Sequence, residues 1–161
     1  MHYCNIKQTC GDIVELDKTD KNIVNIMIEN PRLSLREIGK KAKVSVATAM
    51  HRLNKLEKEK IINSYTAKID YEKIGYDVKV LIEMSISKGR LFDVENKIAI
   101  HPNVFAVYDV TGTSDALIFA RFPSTRQMDN FLKKIQTYEF VERTETKLIL
   151  NTIKDESMLV Q

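Results

Sequence analysis

The sequence predicts an α+β chain in two parts, an all-helical opening followed by a β-α-β-β-α-β remainder. Three observations predict it. Apolar residues recur at three- and four-residue spacing as far as Leu56, they alternate from Val78 onward, and the chain's positive excess is confined to one stretch of the opening.

The bulk numbers set the frame. The chain has 161 residues, 43% hydrophobic and 29% charged, enough for two small cores and too apolar for disorder. No run approaches the roughly 20 apolar residues of a membrane span, and the N-terminus is neither basic nor followed by an apolar stretch. A cytoplasmic protein is expected. Cys4 and Cys10 fall in the first dozen residues with His2 nearby, but no further Cys or His cluster completes a ligand set. Two reduced thiols on a loosely ordered extension over residues 1–15 are expected, with no metal and no cofactor.

The opening holds three helices. Asp17 or Thr19 caps the first, Leu16 serves as a staple, and Ile23, Ile26 and Met27 form its inner stripe until Pro31 stops it. Ser34-Leu35-Arg36-Glu37 is a capping box that starts the second, with Leu35, Ile38 and Ala42 facing inward. Lys43 follows where such turns often carry glycine, so either the lysine is strained or the turn differs. Ser45 caps the third helix. At about 100° per residue, Ala49, Leu53 and Leu56 share its inner face.

A pair of short helices joined this way is a means of placing the second in a DNA major groove. The outer face of that second helix carries Ala47, His51, Asn54 and Lys58, flanked by Thr48, Met50 and Lys55. Asn can pair with adenine, and Ala or Met can touch a thymine methyl. Arg36 and Ser45 are added as candidate DNA contacts. Arg52 lies nearer the inner stripe, which favours packing or an ion pair over base contact. Residues 31–60 hold nine basic and three acidic side chains, a net +6 against +3 for the whole chain. Such a block is the footprint expected for phosphates.

The remainder changes rhythm. Ser64 to Asp70 alternates like a strand, a wing or a connector, and the polar segment broken by Gly75 marks a boundary. Val78 to Ser87 reads as a strand and Leu91 to Ile100 as a helix ended by His101-Pro102. Val104 to Val110 is a strand with Val104, Ala106, Tyr108 and Val110 on one side. Ala116 to Phe122 is a third strand, Pro123-Ser124 opens a helix with Met128, Phe131, Leu132 and Ile135 inward, and Val141 to Ile153 is the last strand. This order is the ferredoxin-like split βαβ arrangement. The expected organisation is therefore an extension over 1–15, a helix-turn-helix (winged-helix-like) domain over 16–63, a strand linker over 64–77, a ferredoxin-like domain over 78–155 and a tail over 156–161.

Three stretches carry a resemblance: LDKTDKNIVNIM, the run SLREIGKKAKVS through HRLNKLEKEKIINSYTAKID with I-G-Y after it, and HPNVFAVYDVTGTSD. In this order and spacing, from about Leu16 to Asp155, the chain resembles the Lrp/AsnC (feast/famine) family of prokaryotic transcription regulators. The resemblance implies a DNA-binding head and a C-terminal domain that dimerises and often assembles to an octamer. It also implies an amino-acid effector, bound around the turn Thr111, Gly112, Thr113, Ser114, Asp115 with Tyr108 and Val110 beside it. A Gly-containing turn can present N–H groups to a carboxylate, and Asp115 is the candidate for the effector's amino group. Thr113 and Ser114 stand where the family commonly has an acidic or amide residue and an aromatic, which makes that wall smaller and more polar. Asp129, Lys133, Thr144 and Thr146 either line the same pocket or, for the first two, pair with each other on a helix surface.

The expected function is a sequence-specific DNA-binding regulator that acts as a homodimer on a pseudo-palindromic double-stranded site and senses an amino acid or related metabolite. The alternative is an architectural protein that coats DNA with little sequence preference, since phosphate contacts carry no sequence information. Catalysis is not expected. His101 has no convergent acid, base or nucleophile in sequence, and Gly-rich phosphate loops are absent.

Overall fold

The computed structural model describes residues 13–87 and 91–161; Cys4 and Cys10 lie outside the described residues. It divides into two compact units, residues 13–67 with Glu156–Gln161, and Lys68–Asp155.

In the first unit α1 spans Lys18–Glu29, α2 Leu35–Ala42 and α3 Val46–Lys58. Each begins where a short polar side chain accepts from an otherwise orphaned N–H of the first turn. Asp17 accepts from the Asp20 N–H at 2.8 Å, and Ser45 accepts from the Thr48 N–H at 3.0 Å. Ser34 and Glu37 close a reciprocal capping box, with the Ser34 N–H donating to Glu37 at 2.8 Å. Ile23, Ile26, Met27, Ile38, Ala42, Ala49 and Leu56 are buried together, with Leu16, Leu35 and Leu53 packed around them. Burial of each large member contributes about 1.5–3 kcal/mol.

The turn between α2 and α3 resolves the question of Lys43. Its φ of 57° and ψ of 41° are left-handed, so the chain accepts strain of about 1 kcal/mol rather than a different turn. One turn earlier the close approach of the chain favours glycine. A Cβ on Gly39 would sit 3.0 Å from the Val44 carbonyl oxygen, and the Gly39 carbonyl itself accepts from the Val44 N–H at 2.9 Å. The end of α3 uses the same device, with Lys60 left-handed at φ 57° and the Ile61 N–H returning to the Leu56 carbonyl at 2.9 Å.

The segment 64–70 departs from expectation. Its alternation predicts a strand, yet it joins no ladder and all its residues are exposed. Alternation supplies one apolar face but not the neighbouring backbone that a strand needs, and among the described residues no strand is offered to it. The chain then makes a 3-10 turn over Glu72–Ile74, ended by Gly75 at φ 85°, where a side chain would be strained. At the other end of the chain, Val160 returns to the first unit. The Asn25 side chain accepts from its N–H at 2.8 Å and donates to its carbonyl at 2.9 Å, and Val160 packs on the helical core.

The second unit contains β1 (Val78–Ile86), α4 (Leu91–Ala99), β2 (Val104–Asp109), β3 (Ala116–Phe122), α5 (Thr125–Gln136) and β4 (Val141–Leu148). The sheet order is β2-β3-β1-β4 with every neighbouring pair antiparallel, which is the ferredoxin-like arrangement. Val80, Ile82, Met84 and Ile86 of β1 and Ala116, Ile118, Ala120 and Phe122 of β3 point to one side. There they pack with Val94 and Ile98 of α4 and Phe131 and Ile135 of α5.

Two strand details differ from the sequence reading. In β2 the register shifts between Val104 and Ala106, so Val104 and Val107 share the core side while Ala106 and Tyr108 do not. The extra residue, Phe105, reverses the phase that alternation alone implies. β4 stops at Leu148 rather than Ile153, near the start of its partner β1 at Val78. Leu148 lies opposite Val80, and the last bond is from the Ile149 N–H to the Lys79 carbonyl at 2.9 Å.

Candidate nucleic-acid interface and effector turn

The outer face of α3 is built from residues that the core does not use. Ala47, Met50, His51, Asn54 and Lys58 are exposed, and Thr48 is half-buried beside the cap. Ala49 and Leu56, both fully buried, mark the opposite, inward face of the helix. Ser45 and Thr48 hydroxyls lie 2.8 Å apart at the N-terminus of α3, where partial positive charge and free N–H groups favour a phosphate. Arg36, Lys40, Lys41 and Lys43 are exposed on α2 and the turn that follows it. The surface can therefore offer Asn54 as a paired donor and acceptor, methyl and thioether groups for apolar contact, and cations for phosphates.

Arg52 and Lys55 have a different position. The Arg52 guanidinium donates to Asp17 at 2.5 Å and to Asp20 at 3.1 Å, and the Lys55 ammonium donates to Asp20 at 3.3 Å. Arg52 thus has the ion-pair role expected of it, and Lys55, a candidate DNA contact, is shared with a carboxylate of α1. The Asp20 N–H, followed by Arg52, holds the Asp17 carboxyl below its ordinary range. Asp20 itself is 1% exposed. Sequence reasoning did not single it out. The available signal was an acid at three- and four-residue spacing from Ile23 and Val24, on the stripe that goes to the core.

The turn from Thr111 to Ser114 projects from the end of the sheet between β2 and β3. Thr111, Gly112 and Thr113 are exposed, Gly112 at φ 130°. Asp115 closes the turn. Its carbonyl accepts from the Val110 N–H at 3.0 Å, its own N–H donates to the Met84 carbonyl at 2.9 Å, and its carboxylate accepts from the Ile86 N–H at 2.7 Å. One carboxylate oxygen therefore stitches β3 to β1 where the β1–β4 register shifts after Ser85. Tyr108 is 55% exposed on the sheet face, with its ring 5.9 Å from that of Phe119, and Val110 is half-buried.

The other effector candidates form local pairs. Lys133 donates to Asp129 at 2.6 Å on the exposed side of α5, and Gln136 donates to Thr144 at 3.0 Å. Thr144 and Ala116 both lie opposite Met84, one on each side of β1. Thr144 is thus about 10 Å, two strand spacings, from the base of the turn. Thr146 is exposed opposite Ile82. Among the described residues no group of three or more His, Cys, Asp or Glu side chains is placed to hold a metal, and no helix is long and apolar enough to cross a membrane.

Comparison with known proteins agrees with this geometry. A winged helix-turn-helix DNA-binding model matches residues 16–63, and the Lrp/AsnC ligand binding domain model matches residues 79–159. An uncharacterised HTH-type transcriptional regulator of Pyrococcus furiosus is 37% identical over 146 residues, covering 91% of this chain and 99% of the relative. The regulator FL11 of Pyrococcus horikoshii is 32% identical over 91% of this chain and 97% of its own. Among solved structures, LrpC of Bacillus subtilis superposes with a TM-score of 0.80 at 27% identity, covering 89% of this chain and 100% of that one. A transcriptional regulator of Neisseria meningitidis, solved as an L-Met complex, does so at 0.82 and 26%, covering 89% and 95%. The three-helix head, the split-βαβ sheet and these full-length matches lead to one conclusion: the chain belongs to the Lrp/AsnC family of helix-turn-helix transcriptional regulators.

Proposed function

We propose that two copies of this regulator join through the open face of the sheet and present two α3 helices to the half-sites of a pseudo-palindromic duplex. An amino acid or related metabolite binds at the Thr111–Asp115 turn and tunes that assembly. The observation that carries the reading is the uncovered sheet face. α4 and α5 bury one side of β1 and β3, whereas Leu81, Leu117 and Phe119 on the other remain half-exposed. Phe105 and Tyr108, both more than half exposed, flank Phe119 with ring centroids 6.1 and 5.9 Å away. A contiguous aromatic and aliphatic patch of this kind needs a cover, and a second copy related by a two-fold axis supplies the same surface in return.

On the DNA side, Asn54, Ala47 and Met50 read base edges, while Lys58, Arg36, His51 and the α3 N-terminus at Ser45 and Thr48 hold phosphates. On the sensing side, the exposed N–H groups about Gly112 meet a carboxylate. Asp115 meets an ammonium through the oxygen that Ile86 does not use. The L-Met complex of the Neisseria meningitidis regulator supports an amino acid as the ligand class. Dimers associate further, to an octamer, at the edges where these turns lie.

Selection of bound duplexes from a random pool, repeated with a panel of amino acids, tests the whole reading. A symmetric consensus whose halves lie one or more helical turns apart is expected, with enrichment changed by one or a few amino acids. A specific-to-random affinity ratio near unity would assign the protein to DNA coating instead.

A further inference from the structure

We propose that Asp20 is a positioning residue for DNA recognition: a buried carboxylate on α1 that fixes the rotation of α3 by holding Arg52 and Lys55. This rests on α3 being the reading helix.

Burial makes this carboxylate costly. Asp20 is 1% exposed and lies on the apolar stripe with Ile23, Val24 and Met27, where an ionised side chain is tolerated only if paired. Both oxygens are used, Oδ1 by Arg52 at 3.1 Å and Oδ2 by Lys55 at 3.3 Å. The same Arg52 nitrogen reaches Asp17, the cap of α1, at 2.5 Å. Two cations three residues apart on α3 are therefore clamped against the first turn of α1.

Their position on the helix gives the clamp its purpose. Arg52 and Lys55 lie on the flank between the inner stripe and the exposed reading face. Apolar packing of Ala49 and Leu56 fixes the distance of α3 from the core but resists rotation weakly, because one residue is small and contacts are nondirectional. Charge-assisted hydrogen bonds are directional. With side-chain tips about 5–6 Å from the helix axis, a 20° rotation would shift them by about 2 Å. That exceeds the tolerance of a bidentate base contact, so the clamp bears on sequence discrimination more than on gross affinity. It also withholds two cations from nonspecific phosphate contact.

The test compares the full-length wild type with Asp20→Asn, a change of charge at constant shape, and with Arg52→Lys, which keeps the charge but shortens the side chain whose one terminal nitrogen Asp17 and Asp20 share. Each is titrated against the duplex selected by the wild type and against a scrambled duplex, over a range of salt and below its measured melting temperature. Asp20→Asn should lower the specific-to-scrambled ratio at least tenfold. Its affinity for scrambled DNA should hold or rise, with a salt slope steeper by about one, as a freed cation reaches phosphate. Arg52→Lys should give a smaller fall in the ratio, and it carries the test if Asp20→Asn does not fold. An unchanged ratio in the folded variants, whatever their melting temperatures, overturns the proposal. A wild-type ratio near one instead overturns the DNA-reading premise.

Discussion

At the scale of single residues, exposed side chains on one helix divide by chemistry. Asn54 can make a paired contact to one base, and Lys58 only a charge contact to the backbone. Asn54→Ala should relax preference at one base position by about 1–3 kcal/mol, measured by competition among single-base variants of the site. Lys58→Ala should weaken all sequences alike and reduce the magnitude of the salt slope by about 0.9. Uniform loss from both would mean that α3 enters the groove rotated. Lys43 gives a separate prediction. Since it occupies a left-handed conformation at φ 57°, Lys43→Gly should raise stability by up to about 1 kcal/mol in denaturant titration. That position was legible as a conflict in the sequence, because the lysine falls in the turn between two capped helices. The importance of Gly39 was not, since it depends on a carbonyl that only the folded turn brings to 3.0 Å.

Among the elements, what is encoded locally was legible and what depends on a neighbour was not. Caps at Asp17, Ser34, Ser45 and Ser124 are statements about three or four consecutive residues, and each helix starts at one of the positions they offer, α1 after Asp17 rather than Thr19. The bulge at Phe105 and the early end of β4 are properties of a strand pair, and alternation in one strand cannot report them. The 64–70 segment is the same lesson, with no partner strand among the described residues. The connection from α4 to β2 carries a pH dependence. His101 packs against Phe131 with ring centroids 4.6 Å apart and planes tilted by 55°, and burial, followed by the charge of Lys134, lowers its pKa below 6.5. A folded-state value below the unfolded one means that the unfolded chain takes up the proton first. Stability from this group is therefore level above about pH 6.5 and falls as pH drops through the unfolded and then the folded value. His101→Gln should remove that part of the slope in melting temperature between pH 7 and 5, whatever its effect on the baseline.

For the whole molecule, the reading requires two copies. Placing a charge in the open sheet face should separate them without unfolding either, because Phe119 is outside the helix-covered core. Phe119→Glu is expected to sediment as a monomer with an unchanged circular dichroism spectrum. It should lose affinity for the full pseudo-palindrome far more than for an isolated half-site. An unchanged sedimentation coefficient would place the interface elsewhere. The two-part architecture and the DNA-binding role were legible early because they rest on period and charge, which survive in one dimension. The clamp on α3 was half legible: Arg52 pointed inward by helical geometry, but its partner Asp20 was hidden by sitting 32 residues away on the stripe that the core claims.

The contact of Asn25 with Val160 alters how the molecule comes apart. The backbone passes from the first unit to the second after Ala67 and passes back after Asp155, so the units are laced by two separate spans of chain. A protease that cuts only in the exposed 64–70 segment severs one lace. The fragment carrying the sheet still ends in residues that two hydrogen bonds and a half-buried valine anchor to α1. Nicked protein should therefore co-elute as one particle under native conditions and separate only on denaturation, whereas the same nick after Asn25→Ala should release the helical head as a free fragment.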